Sequence, residues 1–497
     1  MKHILLIFVA MAATMIGSSQ AKALNNLEYA LAVNYDCKVN YYVSMATGSD
    51  SNSGKTEAAA WKTISHAEDA LSQTKQPGTC INVAPGIYKE NVFLYAGGNA
   101  NTPTGYTVLR CTTVPTVYAY ALTGGVDGTK PACLINGPGG QYVSGIVSFQ
   151  ASYQIIDGFD ITTTDITGQE AGIEGGFQTP NSNTGICPSG AGFCHHLAVY
   201  RCRVHDVGGA GIQMAWGAAW YIQGNEVFNT VSRQVNQTSG ITLCCTSGQT
   251  YSGGLENTFG KQNGVNIQNL VTNNVSHNNV IGPLVTGGHT DGEGIIVDTL
   301  GQTQSTCLNQ NKTGTLLYGN ITYGNGGQGV SVFFSSYVAV YNNTSYNNFL
   351  DKLNPATARS EFSNLCGHDN TYANNVGVGV VVGSLAPFNS DIGAISGTAG
   401  RPGTEPNVLW TNNVFNTNVA TPRICTSSTS VVCAYNGDVI AATINRYALD
   451  PIFAKPTGSP PNLMPGSGSP LWGKSSATST VSALGGARVP APNIGAY

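Results

Sequence analysis

The sequence predicts an all-β solenoid closed at its N-terminal end by a short helix. Three observations carry that expectation. A hydrophobic or β-branched residue after a small polar pair recurs at Val204, Val227, Val275, Ile321, Thr344, Val376 and Val414, in steps of 23, 48, 46, 23, 32 and 38 residues. The shortest step recurs and the longer ones are that coil plus an insertion, which is the mark of stacked repeats. One strand also recurs cleanly, as GIQM at 211–214, GITL at 240–243, GIIV at 294–297 and GVSV at 329–332. Finally, only 10% of residues are charged and 62 of 497 are glycine. That composition suits a stacked β surface that is polar but uncharged, and it suits sugar binding.

Taken in order, residues 1–23 read as a bacterial secretory signal. Lys2 supplies the positive start, Ile4–Ala13 the apolar run and Ala21-Lys22-Ala23 a small-x-small cleavage site. The expected location is therefore secreted or periplasmic, with a retained anchor as the other reading. No later apolar stretch approaches the length of a membrane span. Removing Lys2 and Lys22 takes the formal charge from −4 to −6. That argues against a nucleic-acid partner and against an anionic membrane surface.

Residues 24–130 should hold the cap and the first coils. YYVS at 41–44 reads as a strand and GSDSNSG at 48–54 as a turn. Thr63 can cap a short helix that carries Ile64, Ala67, Ala70 and Leu71 on one face. Strand CINV, turn Pro85-Gly86 and IYKENV follow. A solenoid end exposes an apolar core and unpaired strand edges, so a capping helix has a physical reason there.

Residues 131–420 should be coils with loop insertions. Period-2 alternation turns Ile212/Met214, Ile241/Leu243, Ile295/Val297 and Val330/Val332 inward. Gln213, Thr242, Ile296 and Ser331 then face outward, as do Ala215, Cys244, Asp298 and Phe333, with Glu174 one coil earlier. The spacing from the recurring hydrophobe to the strand glycine is 7, 13, 19 and 8 residues in successive coils, and from that glycine onward 16, 35, 27 and 15. The two middle coils thus carry extra loops on both sides of one strand. Loops 228–239 and 276–293 should form one wall of a groove, loops 246–264 and 299–314 the other, with Thr242, Ile296 and Asp298 on its floor. Residues 421–497, rich in Pro, Gly and Ser, read as a last coil or tail packing back on the solenoid.

Thirteen cysteines in an exported chain imply disulfides, with one cysteine left over. Cys187/Cys194, Cys425/Cys433 and the Cys244-Cys245 pair with Cys307 are the expected loop staples. Cys202 falls in the small polar column of the coil and should be buried. No spacing supports a zinc site.

Several segments have a family look. YYVSMATGSDSNSG, WKTISHAEDAL and INVAPGIYKENV resemble the start of secreted right-handed parallel β-helix repeat proteins related to pectate and other polysaccharide lyases. IIDGFDIT, GHTDGEGIIVD, YGNGGQGVSV and YNNTSYNN resemble their coils, and NIGAY resembles their close. The resemblance implies a single-stranded right-handed parallel β-helix with an N-terminal helical cap, acting on a polysaccharide as a monomer. The nearest lyase comparison is with polysaccharide lyase family nine, which carries acidic calcium ligands around an Asp-Gly turn and a lysine base shortly after. Asp291-Gly292 matches the turn, but no lysine follows it. The Asp-Asp and Gly-His-Gly signatures of β-helix polygalacturonases are missing.

His289-Thr290-Asp291-Gly292-Glu293-Gly294, with Asp298, is the densest acidic cluster of the coils. Asp291, Glu293 and Asp298 are candidate calcium ligands, because carboxylates this close repel unless a cation sits among them. A solvated Asp-Gly turn is the competing reading. Eliminating a uronate needs a neutralised carboxylate and a base. Arg233, Lys352 and His289 are the candidate catalytic residues, and Thr242, Ile296, Arg359 and Trp216 the candidate substrate contacts. Trp220 shares the Trp216 turn and could stack a sugar or fill a corner, and His205 reads as structural. The expected activity is calcium-assisted β-elimination of an acidic glycan. A glycoside hydrolase drawing on Glu174, Asp291, Glu293 and Asp298 is one alternative. A non-catalytic glycan-binding or surface solenoid is the other.

Overall fold

The computed structural model describes residues 31–95, 97–113, 131–138, 145–165, 167–175, 194–245, 259–286, 288–300, 313–354, 360–379, 385–390, 408–411, 413–417, 446–447, 453–455, 462–465 and 469. The chain divides between Leu31 and Ala32, and every strand among the described residues lies after that division. The expected signal segment falls outside the described residues, as do Arg359, Cys187, Cys307, Cys425 and Cys433.

Three sheets run along the chain. Sheet A has 12 strands, from Val39–Val43 to Leu409–Thr411; sheet B has 11, from Gly86–Tyr88 to Arg446–Tyr447; sheet C has nine, from Val92–Leu94 to Leu385–Ser390. Each coil crosses A, then B, then C. Val265–Thr272 lies in A, Val275–His277 in B and Ile295–Asp298 in C, before Gly314–Tyr318 returns to A. Successive coils pair in parallel, so the fold is a parallel β-helix. The recurring strand stacks in register in sheet C: Ile212 on Ile241, Ile241 on Ile295, Ile295 on Val330. Glu174 sits beside Gln213 one coil earlier, as the pattern requires. Ile212, Met214, Ile241, Leu243, Ile295, Val297, Val330 and Val332 are fully buried. Each contributes roughly 1.5–3 kcal/mol of transfer free energy.

The glycine that opens this strand has a steric cause. A Cβ at Gly211 would run into Val227 Cγ1, and one at Gly329 into Ser345 Oγ. The inward side chains of sheet B fill the space that a Cβ would need.

The repeating column is polar, which corrects the hydrophobic column of the sequence. Cys202, Asn225, Asn274, Asn320, Asn343, Asn375 and Asn413 occupy the turn from A to B and form a ladder. Each Asn Oδ1 accepts from the backbone N–H one coil before, at 2.9–3.0 Å. The residue before each of the first six rungs is left-handed, at Arg201, Gly224, Asn273, Gly319, Asn342 and Asn374. Gly and Asn tolerate that conformation best, which explains the Gly-Asn and Asn-Asn pairs. Val204 and Val227 lie two residues past their rungs, whereas Val275, Ile321, Thr344, Val376 and Val414 lie one past. A one-residue offset reverses the face of the strand. Ser276, Thr322 and Ser345 therefore take the inward place of Val227 in the later coils. A second ladder lies five residues on, through Thr230, Asn279, Asn325 and Asn348. Glu361 ends it by accepting from the Asn348 backbone at 3.1 Å and from its Nδ2 at 2.6 Å.

The N-terminal cap is helix Ile64–Leu71. Thr63 Oγ1 accepts from His66 N at 3.2 Å, and the Glu90 carboxylate accepts from Ile64 N and Ser65 N at 2.9 and 2.7 Å. Ile64, Ala67 and Leu71 enter the core of the first coils. Ala70 is exposed instead, and Glu68 is buried through its 2.5 Å ion pair with Lys75.

Disulfides join Cys37 to Cys80 and Cys111 to Cys133. Cys244 and Cys245 bond to each other, not to Cys307, because they are adjacent at the end of strand Ile241–Cys244. Cys194 and Cys366 are also disulfide-bonded. Cys202 is free and buried in the ladder.

Candidate functional site

The loops from sheet B to sheet C stack on one another. Thr286 N donates to Val235 O at 2.9 Å, Gly292 N to Thr238 O at 3.1 Å and Gly240 N to Glu293 O at 2.9 Å, so loops 228–239 and 276–293 form one wall. The next loop, Gly324–Gly329, is short and lies flat against it, with Gly327 N on Gly292 O at 2.8 Å. A Cβ at Gly327 would sit 2.9 Å from Asp291 O, so only glycine allows this approach. Phe349 N then bonds Gly327 O at 2.8 Å, which brings the loop after Thr344–Tyr346 onto the same wall. Residues 246–258 and 301–312, from the expected opposite wall, lie outside the described residues.

His289 and Asp351 meet on this wall. His289 Nδ1 lies 2.6 Å from Asp351 Oδ2, with side chains 14% and 6% exposed. A carboxylate accepts only, so Nδ1 carries the proton, and in the neutral ring Nε2 is the nitrogen with the lone pair. Asp351 is anchored in turn, its Oδ1 accepting from Leu353 N at 2.9 Å. Asn354 Nδ2 reaches Thr290 O at 3.5 Å, and Thr290 Oγ1 donates to Asp291 Oδ1 at 3.1 Å.

The acidic cluster is electrostatically connected. Burial and the Asp298 charge push Asp291 up to about 7. Burial and Asp291 push Glu293 well above the usual carboxylate range. Burial alone takes Asp298 up to about 6 and Glu174 up to about 7. Glu293 is 3% exposed and accepts from the Ser239 hydroxyl, while Ser239 Oγ accepts from Glu293 N at 3.2 Å. Asp298 stands at the far end of strand Ile295–Asp298, where Oδ1 accepts from Thr299 Oγ1 at 2.5 Å and Oδ2 lies 3.8 Å from Cys244 Sγ. Among the described residues no group of three His, Cys, Asp or Glu side chains is placed to hold a metal. Asp291 and Glu293 precede strand Ile295–Asp298 and Asp298 ends it, so the expected ligand set spans the length of that strand.

The other candidates stand on several separate elements. Arg233 is half-buried, its backbone N–H held by Gly208 O at 2.9 Å, and Lys352 is exposed beside Asp351. Neither forms an ion pair among the described residues. Thr242 and Ile296 are only 5% and 4% exposed, and Thr242 Oγ1 accepts from Ser239 N at 3.1 Å. Trp216 is 40% exposed in a left-handed corner, with its backbone N–H donating to Cys244 O at 3.2 Å. Trp220 is fully buried and belongs to the core. His205 is held by Asp160 and Asp206 at 2.9 and 2.7 Å and stacks on Phe228. Asp351 and Ser239 were not legible as site residues. Their partners stand 62 and 54 residues away, and only the loop stacking joins them.

No family model matches the sequence, and no curated protein matches it. Among solved structures it is similar to pectate lyase Pel9A, at 14% identity and TM-score 0.46, over 94% of this chain and 98% of that one. It is also similar to the GH136 lacto-N-biosidase from Eubacterium ramulus, at 14% identity and TM-score 0.46, over 83% of this chain and 68% of that one. An alginate lyase from Paenibacillus sp. str. FPU-7 matches at 15% identity and TM-score 0.42, over 78% of this chain and 93% of that one.

Proposed function

We propose that this protein processes an acidic polysaccharide by β-elimination over sheet C, with His289 as the base. The observation that carries the reading is the His289–Asp351 pair at 2.6 Å, which fixes the tautomer and leaves Nε2 to take a proton. Nε2 removes the proton beside the sugar carboxylate. The electron pair forms the ring double bond, and the glycosidic oxygen leaves and is protonated. Asp291, held near neutrality by burial, suits the donor role in that last step. Arg233 and Lys352 have no internal counter-ion among the described residues, so either can meet the sugar carboxylate and acidify the adjacent proton. Arg359, Trp216, Thr242 and Ile296 remain proposed substrate contacts. Disulfides Cys37–Cys80 and Cys111–Cys133 support an exported protein.

One observation favours a second reading. Glu174, Asp291 and Asp298 all hold protons more tightly than ordinary carboxyls, as a glycosidase acid must. The two readings separate in one assay on pectate, alginate and neutral glycans, with calcium or a chelator. Elimination yields an ultraviolet-absorbing unsaturated end, and hydrolysis yields reducing ends without it. His289→Ala should lower elimination about 10²–10⁴-fold, and Asp351→Asn should lower kcat with little change in KM. Full activity in both variants removes His289 from the mechanism. Reducing ends alone establish the hydrolase.

A further inference from the structure

A cleft of about 530 Å³ opens on the outer face of sheet A, away from the strands that carry the His289 wall. Tyr42, Asn82, Arg110 and Asp157 stand in one register row across four coils. Their neighbours Val43, Ile81, Val83 and Leu109 point into the core, so this row faces out. Arg110 Nε donates to Asn82 Oδ1 at 2.6 Å, and Asn82 Nδ2 donates to Asn40 Oδ1 at 3.0 Å. The guanidinium lies 5.9 Å from the ring of Tyr35.

Asp157 does not neutralise Arg110. Its carboxylate is fully buried and taken by Arg201, whose Nε donates to Oδ1 at 2.6 Å, and by Tyr35, whose hydroxyl donates to Oδ2 at 2.6 Å. Arg110 forms no ion pair among the described residues. Glu57 stands at the rim and is exposed to water. The segment before Cys37 closes the cleft on one side. Ala32 N donates to Gln223 Oε1 at 2.7 Å and Val33 N to Tyr200 Oη at 3.0 Å, which covers the next coils.

A guanidinium with Nε engaged keeps its terminal amino groups for a carboxylate. Tyrosine offers an apolar face with a polar tip, and the half-buried Asn40 amide at the cleft offers a partner for hydroxyls. The volume lies within the roughly 300–1,000 Å³ of small-molecule sites. We propose that this cleft is a second saccharide site, which takes a carboxylated sugar with its carboxylate on Arg110 and its ring against Tyr42. The ligand class rests on the acidic-polysaccharide reading; the site does not depend on the reaction at His289.

Titration calorimetry on the whole protein tests it, with an oligogalacturonate, an oligomannuronate, a neutral xylo-oligosaccharide and inorganic phosphate as probes. An acidic oligosaccharide should bind, and Arg110→Gln should weaken it about tenfold or more, as loss of one charge-assisted contact does. Tyr42→Ala should weaken it too, and it decides the matter if Arg110→Gln does not fold. Arg110→Lys should recover part of the affinity. Unchanged affinity in the folded variants overturns the proposal. Equal binding of the neutral probe, binding of phosphate alone, or no acidic ligand at all overturns it as well. His289→Ala should keep the Arg110-dependent binding. Turnover lost with that binding kept, or the reverse, assigns any failure to one site.

Discussion

Asn320 illustrates how much one ladder side chain holds. Its Oδ1 accepts from Asn274 N and Nδ2, both at 3.0 Å, and its Nδ2 donates to Val271 O and Asn343 Oδ1 at 2.8 and 2.9 Å. All of these groups are buried, so none can turn to water instead. Asn320→Ala should cost about 2–3 kcal/mol, the penalty for stranding buried donors and an acceptor. Urea denaturation measures it. A loss near zero would mean that water replaces the side chain. His289 and Asp351 follow a similar logic at the proposed site, where the partner's carboxylate, and not the histidine alone, sets which nitrogen is free.

At the scale of elements, helix Ile64–Leu71 covers the first coils through Ile64, Ala67 and Leu71. Two caps serve its N-terminal N–H groups, Thr63 and the Glu90 carboxylate. Loss of a cap costs about 1 kcal/mol. Glu90→Ala should therefore lower stability by about that amount and raise amide exchange first at Ile64 and Ser65. Uniform exchange changes along the whole solenoid would show that the cap does not act as a local end seal. The loops from B to C are the other element with a role. Their stacking is enforced by backbone bonds from loop to loop, and the short Gly324–Gly329 passage allows loops two coils apart to meet.

Over the whole molecule, burial of carboxyls makes stability depend on pH with an unusual sign. Glu174 and Glu361 are raised from 4.5 to about 7 by burial, and Asp291 from 3.8 to about 7 by burial and Asp298. The folded state then binds protons more tightly than the unfolded one. This contribution is fully present below the unfolded values and is lost as pH rises through about 7. The melting temperature should rise as pH falls from 8 towards 5. Glu361→Gln should flatten that rise, since an amide stays neutral while keeping an acceptor for Asn348. A melting temperature that instead falls over this range in the wild type would show that these carboxyls ionise without penalty.

The all-β solenoid, its coil length, the register of GIQM, GITL, GIIV and GVSV, the capping helix and the buried Cys202 were all legible in the sequence. Each of these is written within one coil, because a strand's face is set by alternation and a coil pairs only with its neighbours. The remaining features arise only from the folding of coils on one another. It moved the repeat from the hydrophobe to the asparagine, since one residue of offset between Val227 and Val275 changes which side chain faces in. It paired His289 with Asp351, and Arg110 with Asn82 and Tyr35, because such contacts depend on which insertions lean together and which coils stack. It also set Asp298 at the end of strand Ile295–Asp298 while coupling its charge to Asp291 and Glu293, which precede that strand. Extended chain keeps sequence neighbours apart while stacking brings distant coils within about 4.8 Å, so distance along this chain says little about distance across its surface.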